Sequence, residues 1–128
     1  MILLLDTSTP ICKLSLIDGS AKYDDQWDSG RGLALGLLSY LQKSLSEHGK
    51  TWTDISGIGV FEGPGSFTGL RIGITVVNTI ADANGVPIVG ARGDDWQDTA
   101  MSKLKGEINE KIVLPFYGSE AKITTPRK

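Results

Sequence analysis

Cysteine and histidine are almost missing from this sequence, with one of each, Cys12 and His48, among 128 residues. A single cysteine excludes an internal disulfide framework and any cysteine-cluster metal site. A single histidine excludes paired-histidine metal motifs and leaves little for histidine-based nucleophilic catalysis. Long apolar runs are missing too. No stretch reaches the roughly 18 apolar residues that a membrane span needs. The apolar start, Met1-Ile2-Leu3-Leu4-Leu5, has no basic residue in front of it and meets Asp6 at once. It reads as a buried first strand rather than a signal peptide. The expectation is a cytoplasmic protein with no membrane contact and no bound cofactor or metal.

Net charge is small, with 13 Lys and Arg against 15 Asp and Glu. Its distribution is uneven. Residues 1–100 carry 7 basic and 12 acidic side chains, net −5, whereas residues 101–128 carry 6 and 3, net +3. An acidic body lacks the basic face of a free-standing nucleic-acid binder. Any dealings with RNA are therefore expected to be indirect, and residues 118–128 read as a flexible basic tail behind a lobe spanning residues 1–117.

What the sequence has in excess is glycine, 16 of 128 residues, nearly double the average share of about 7%. Six of these lie between Gly57 and Gly73, so the excess belongs to one segment. The length suits one domain, and the pattern along it alternates. Residues 2–6 read as a strand, residues 12–17 alternate as a half-buried strand, and Asp18-Gly19 turns the chain into a third strand at 21–28. Leu33, Ala34, Leu37, Leu38, Leu41 and Leu45 share one arc of a helix that Ser29 or a neighbour caps and Gly49 ends. Strands at 55–61 and 86–89, helices at about 67–84 and 94–105, and a short closing element at 112–117 complete the order β-β-β-α-β-α-β-α. Three antiparallel strands followed by parallel crossovers predict a mixed five-stranded sheet with helices on its faces, the layout of ribonuclease H-like and actin-like lobes.

The segment Gly63-Pro64-Gly65-Ser66-Phe67-Thr68-Gly69-Leu70-Arg71-Ile72-Gly73 joins a strand to a helix, where free amides can hold an anion. Neither well-known phosphate motif fits. Thr68 stands where a Walker loop and a dinucleotide fingerprint each need glycine, so Ser66 reads as a helix cap on a tight loop. On the following helix Leu70, Ile74, Val77 and Ala81 form one apolar stripe, while Gly69, Gly73, Val76 and Ile80 form a second. A lobe this small has little to bury the second stripe. The glycine pair is expected to make a flat patch that a helix of another molecule fills, in preference to the chain's own first helix, with Leu33 and Leu37 of the first helix joining the interface. A bulky residue at Gly73 is then expected to block the partner and leave the fold intact. Asp6, Thr7 and Ser8, following the first strand, are weak candidates for a nucleotide site and otherwise cap a turn. Arg71, at the wrong end of a helix dipole for a cation, suggests an acidic partner or an anion. Trp27, Trp52, Trp96 and Cys12 read as packing residues.

The string at residues 63–73 resembles the signature of the bacterial TsaB (YeaZ) family of threonylcarbamoyladenosine biosynthesis. The opening Leu3-Leu4-Leu5-Asp6-Thr7-Ser8, Asp18-Gly19, Asp54-Ile55 and Val86-Pro87-Ile88-Val89-Gly90 agree in order and spacing. Pro115-Phe116-Tyr117 is similar to the family's C-terminal Pro-x-Tyr. The resemblance implies an actin-like, non-catalytic subunit that pairs through its first two helices with the catalytic paralogue TsaD, in an assembly joined by the ATPase TsaE. Departures accompany it. Only about twenty residues separate Val89-Gly90 from the Pro-x-Tyr element, so the chain reads as a short form without the second lobe. Leu33 replaces the usual histidine, and Arg92-Gly93-Asp94 replaces Ser-Thr-Leu. The alternatives are a self-associating homodimer with a regulatory role and, less favoured, a small nucleotide-binding ATPase.

Overall fold

The structure, a computed structural model, describes residues 1–118; the rest of the expected basic tail lies outside the described residues. Strand β1 (Ile2–Asp6) sits at the centre of a five-stranded sheet of order β3-β2-β1-β4-β5. Strands β2 (Ile11–Asp18) and β3 (Ala21–Asp28) continue it as an antiparallel meander. Strands β4 (Gly57–Phe61) and β5 (Ile88–Ala91) add in parallel on the other side. Helices α1 (Leu33–Glu47) and α2 (Phe67–Asn84) cover one face, and α3 (Trp96–Lys105) covers the other beside β4 and β5. The expected mixed sheet and actin-like layout are both present.

The central position of β1 explains its unbroken leucines. Successive side chains of a strand point to opposite faces, and both faces of β1 are covered. Leu3 and Leu5 enter the large core under α1 and α2 with Cys12, Leu14, Leu16, Ile58 and Val60. Leu4 enters a smaller core with Val89, Ala91, Trp96 and Ala100 under α3. Each such fully buried leucine contributes about 1.5–3 kcal/mol of transfer free energy. On β4, a Cβ at Gly59 would lie 2.6 Å from Leu4 Cδ2 and 2.9 Å from the Ala100 side chain. The close neighbours expected of this glycine-rich strand are β1 and α3.

Several boundaries differ from expectation. Ser29 does not cap α1; its amide and hydroxyl both donate to the Pro10 carbonyl, at 3.0 and 2.9 Å, and Gly32 stands at the cap without a side-chain bond. Strand β5 begins two residues late, at Ile88. Residues 112–117 form no regular strand; they lie along the fold as an irregular strap. Just before the strap, Asn109 and Glu110 close the outer edge of β5, which would otherwise expose unpaired amides and carbonyls. The Ile88 amide donates to Asn109 Oδ1 at 3.1 Å, and the Gly90 amide donates to Glu110 Oε1 at 2.7 Å. Their carbonyls accept from the Glu110 amide at 2.9 Å and from Lys103 Nζ at 2.7 Å.

Candidate docking face and the loop beside it

The β1–β2 turn and the loop from Glu62 to Ser66 meet at the C-terminal end of the central strands. The Ser8 amide donates to Asp6 Oδ1 at 2.8 Å, and the Ser66 amide donates to the Ser8 carbonyl at 2.8 Å. Thr7 is buried, and its hydroxyl donates to the Gly69 carbonyl at 2.7 Å. These bonds fold the turn onto the first turn of α2, so Asp6, Thr7 and Ser8 work as turn formers. Ser66 caps α2 as expected, its Oγ accepting from the Gly69 amide at 3.2 Å. Gly63 has φ of 124°, and a side chain there would overlap the Phe116 carbonyl.

The same turn corrects the reading of the glycine pair. A Cβ at Gly73 would lie 2.7 Å from Thr7 Cγ2 and 2.9 Å from Thr7 Cβ, and one at Gly69 would overlap the Thr7 carbonyl. The flat patch is filled from within, by the end of β1, and is closed to a foreign helix. A bulky residue at Gly73 therefore strikes the fold itself. Leu33, Leu37 and Ile80 are likewise buried in the core. Of the six residues expected to form the interface, only Val76 and the edge of Gly69 keep partial exposure.

What remains open lies one position round each helix. On α1, Ala34 and Leu38 face outward rather than joining the buried arc, and Leu35 is 95% exposed. On α2 the outward residues are Thr68, Arg71, Thr75 and Thr79, with Ile72 and Val76 half-buried beside them. Between the helices runs a hollow of about 370 Å³ floored by Pro10, Leu33, Ala34, Gly69 and Ile72. It adjoins a second of about 350 Å³ lined by Ala34, Thr68, Arg71, Ile72, Thr75 and Val76. The signal for this face was in the run Leu33-Ala34-Leu35-Gly36-Leu37-Leu38, apolar all round the helix where a single covered stripe would suffice.

The strap bounds the face. Val113 forms two hydrogen bonds with the Asn78 side chain of α2, both at 2.9 Å, and the Phe116 amide donates to the Glu62 carbonyl at 2.7 Å. Arg92 lies over the Phe116 ring at 3.7 Å while its Nε reaches Glu62 Oε1 at 2.9 Å. Tyr117 packs on Phe67 with ring centroids 4.5 Å apart, and the Arg71 guanidinium sits 5.2 Å from the Phe67 ring centre. Arg71 has no carboxylate partner among the described residues.

Other singled-out residues serve packing. Trp27 stacks on Tyr40 at 5.1 Å and lies against Gly36, Trp52 borders the large core, and Trp96 is buried. Burial, with smaller contributions from the charges of Asp6 and Asp25, pushes the Cys12 thiol up to about 12. Burial and the bond to Asp25 also raise Tyr40. Among the described residues no three His, Cys, Asp or Glu stand together as a metal-binding group, and no helix is long and apolar enough to cross a membrane.

A mixed sheet of this strand order with helices on both faces is the layout of an actin-like lobe. Residues 30–92 match the TsaD family, tRNA N6-adenosine threonylcarbamoyltransferase. The tRNA threonylcarbamoyladenosine biosynthesis protein TsaB of Escherichia coli is 34% identical over 87% of this chain and 51% of its own length. Its counterpart in Buchnera aphidicola from Baizongia pistaciae is 33% identical over 69% of this chain and 40% of its own. The solved structure of YeaZ from Pseudomonas aeruginosa superposes with a TM-score of 0.67 at 33% identity, covering 71% of this chain and 43% of that one. Within the class, this chain belongs to the TsaB (YeaZ) family. It spans about half the length, or less, of these relatives.

Proposed function

We propose that the protein is a non-catalytic docking subunit in the formation of threonylcarbamoyladenosine on tRNA. In this reading the open face of α1 and α2 holds a TsaD-like catalytic subunit, and a TsaE-like ATPase joins the assembly. The observation that carries the proposal is the exposure of Leu35 and Leu38 on α1, the helix whose Ala34 lines the hollow toward α2. Burying what Leu35 and Leu38 leave exposed would supply roughly 2–4 kcal/mol toward an interface. The names of the relatives point the same way, since both a TsaB and a TsaD relationship run through α1, α2 and the loop between β4 and α2. The turn supports it too, because the polar groups of Asp6, Thr7 and Ser8 are engaged in holding α2 in place.

The test is co-expression with the TsaD-like subunit of the same organism, followed by size-exclusion chromatography at micromolar concentration. The two chains should elute together, and Leu38→Arg should separate them while the circular dichroism of the lobe stays unchanged. Separate elution of the unmutated chains would sink the proposal. A second reading, self-association through the same face, is favoured by the ionic side chains of α2, Arg71 near its start and Asp82 near its end, which are both exposed.

A further inference from the structure

Residues 107–117 contain no helix or strand, yet hydrogen bonds fasten them to β5, to α2 and to the loop after β4. The start of the segment, residues 107–111, forms a clip on the edge of β5. Asn109 Oδ1 accepts from two amides at once, Ile88 at 3.1 Å and Lys111 at 2.8 Å. The Glu110 carboxylate takes the Gly90 amide on one oxygen, at 2.7 Å, and Lys103 Nζ on the other, at 3.0 Å. Two side chains thus fill the places that the amides of β5 would offer to a sixth strand. The strap follows, with Val113 tied to Asn78 of α2 and Phe116 tied to Glu62. Tyr117 ends it against the Phe67 ring.

Apolar burial adds little to these ties. Val113 is buried, but Ile108, Ile112 and Leu114 are 46%, 67% and 72% exposed. The backbone of the clip is also bent against preference. Glu107 and Lys111 have φ of 62° and 67°, left-handed values that residues other than glycine seldom adopt. Such conformations persist where their surroundings impose them, and here the imposing contacts are the clip's own bonds. A segment with few apolar contacts and many exposed bonds belongs to the low-stability end of a fold. Its strongest tie is Glu110, because charge-assisted bonds are about twice as strong as neutral ones. We propose that residues 107–117 are a releasable latch keyed by the Glu110 carboxylate. The latch opens as one unit while the sheet and the helices stay folded. Opening bares the outer amides of β5 and withdraws Tyr117 from the ring on which Arg71 rests. One event thereby joins the edge of the sheet to the start of α2. None of these contacts depends on what docks on α1 and α2.

Native-state hydrogen exchange on the full chain, followed by NMR at low urea, tests the latch. The amides of Ile88, Gly90, Val113 and Phe116 are the reporters, since each donates across a tie. They should share one degree of protection, within about threefold, and fall about 100-fold or more below the amides of Leu4 and Ile74. Glu110→Gln keeps the shape and an acceptor but removes the charge. It should speed exchange at all four reporters together, by about tenfold or more. Lys103→Met should move the same four in the same direction. Circular dichroism establishes that each variant is folded. Faster exchange at Ile88 and Gly90 alone, with Val113 and Phe116 unmoved, overturns the proposal, because the ties then open separately. Protection of the four equal to that of Leu4 overturns it too, because the segment then opens only when the lobe unfolds. Unchanged exchange at all four in Glu110→Gln removes the key and sinks the latch with it.

Discussion

Replacing Gly73 by alanine tests whether this position is an open helix surface or a filled contact. In an exposed helix interior the change stabilises by about 1 kcal/mol, because alanine loses less backbone freedom on folding. Here the new methyl would lie 2.7 Å from Thr7 Cγ2 and 2.9 Å from Thr7 Cβ. Overpacking of this kind costs about 1–3 kcal/mol. Thr7 cannot rotate away freely, since its hydroxyl is bonded to the Gly69 carbonyl at 2.7 Å, and leaving such a buried group unpaired costs a further 1–3 kcal/mol or so. The opposing terms leave a net loss of about 1–5 kcal/mol. With a urea dependence of about 1–3 kcal/mol per molar, the unfolding midpoint should fall by roughly 1–2 M. The companion variant Thr7→Ala removes both the hydroxyl and the methyl. In the double variant Thr7→Ala/Gly73→Ala only the contact with Cβ remains, so it should be about 1–2 kcal/mol more stable than the sum of the single effects. A Gly73→Ala protein that is more stable than the unmutated chain would refute the argument.

Two further perturbations read other parts of the structure. Asn78→Ala removes both bonds that hold Val113 to α2; a loss of about 1–3 kcal/mol is expected in urea unfolding, together with faster amide exchange at Val113. Cys12 should resist iodoacetamide at pH 8 in the folded chain and react once urea unfolds it, because its thiol is buried and held protonated. The sign of the linked stability follows from the direction of that shift. The folded thiol titrates near 12 against 9.0 when exposed, so its contribution is complete below pH 9 and is lost as the pH rises toward 12. Cys12→Ala should lessen that alkaline loss, and an identical pH profile would count against it.

The layout of the lobe was legible because its signals are local. Alternation marked β2, the Asp18-Gly19 turn marked the hairpin, and Ser66 marked the start of α2. Three antiparallel strands followed by crossovers left few topologies to choose from. The interface was not legible to the same degree, for a physical reason. Helical spacing states which residues share a stripe, but not which stripe meets the sheet. The stripe of Gly69, Gly73, Val76 and Ile80 reads as surplus only if nothing else in the lobe is small and close. Thr7, some sixty positions away in sequence, takes that place. On α1 the uniformly apolar first turns concealed the difference between Leu37, at 0% exposure, and Leu35, at 95%. The strap was equally hidden, since its order comes from the side chains of Asn78, Asn109, Glu110 and Arg92 and from no backbone periodicity.

The filled glycine patch bears on binding as well as on stability. With Thr7 locked beneath it, Ser66 capping its start and Asn78 tied to the strap, α2 is fixed along most of its length before any partner arrives. A partner then meets a surface whose ordering cost has already been met by folding, and such preorganisation strengthens association without adding contacts. The residues that matter for binding therefore fall into two groups. Leu35, Leu38, Val76 and Arg71 touch the partner in the proposed reading, and their substitution should change affinity with the lobe intact. Thr7, Gly73 and Asn78 hold the platform, so their substitution should lower stability first and affinity only through it. The glycine-rich signature thus acts mainly on the second group: it brings β1 and α2 close enough for the open side of the helix to be presented rigidly.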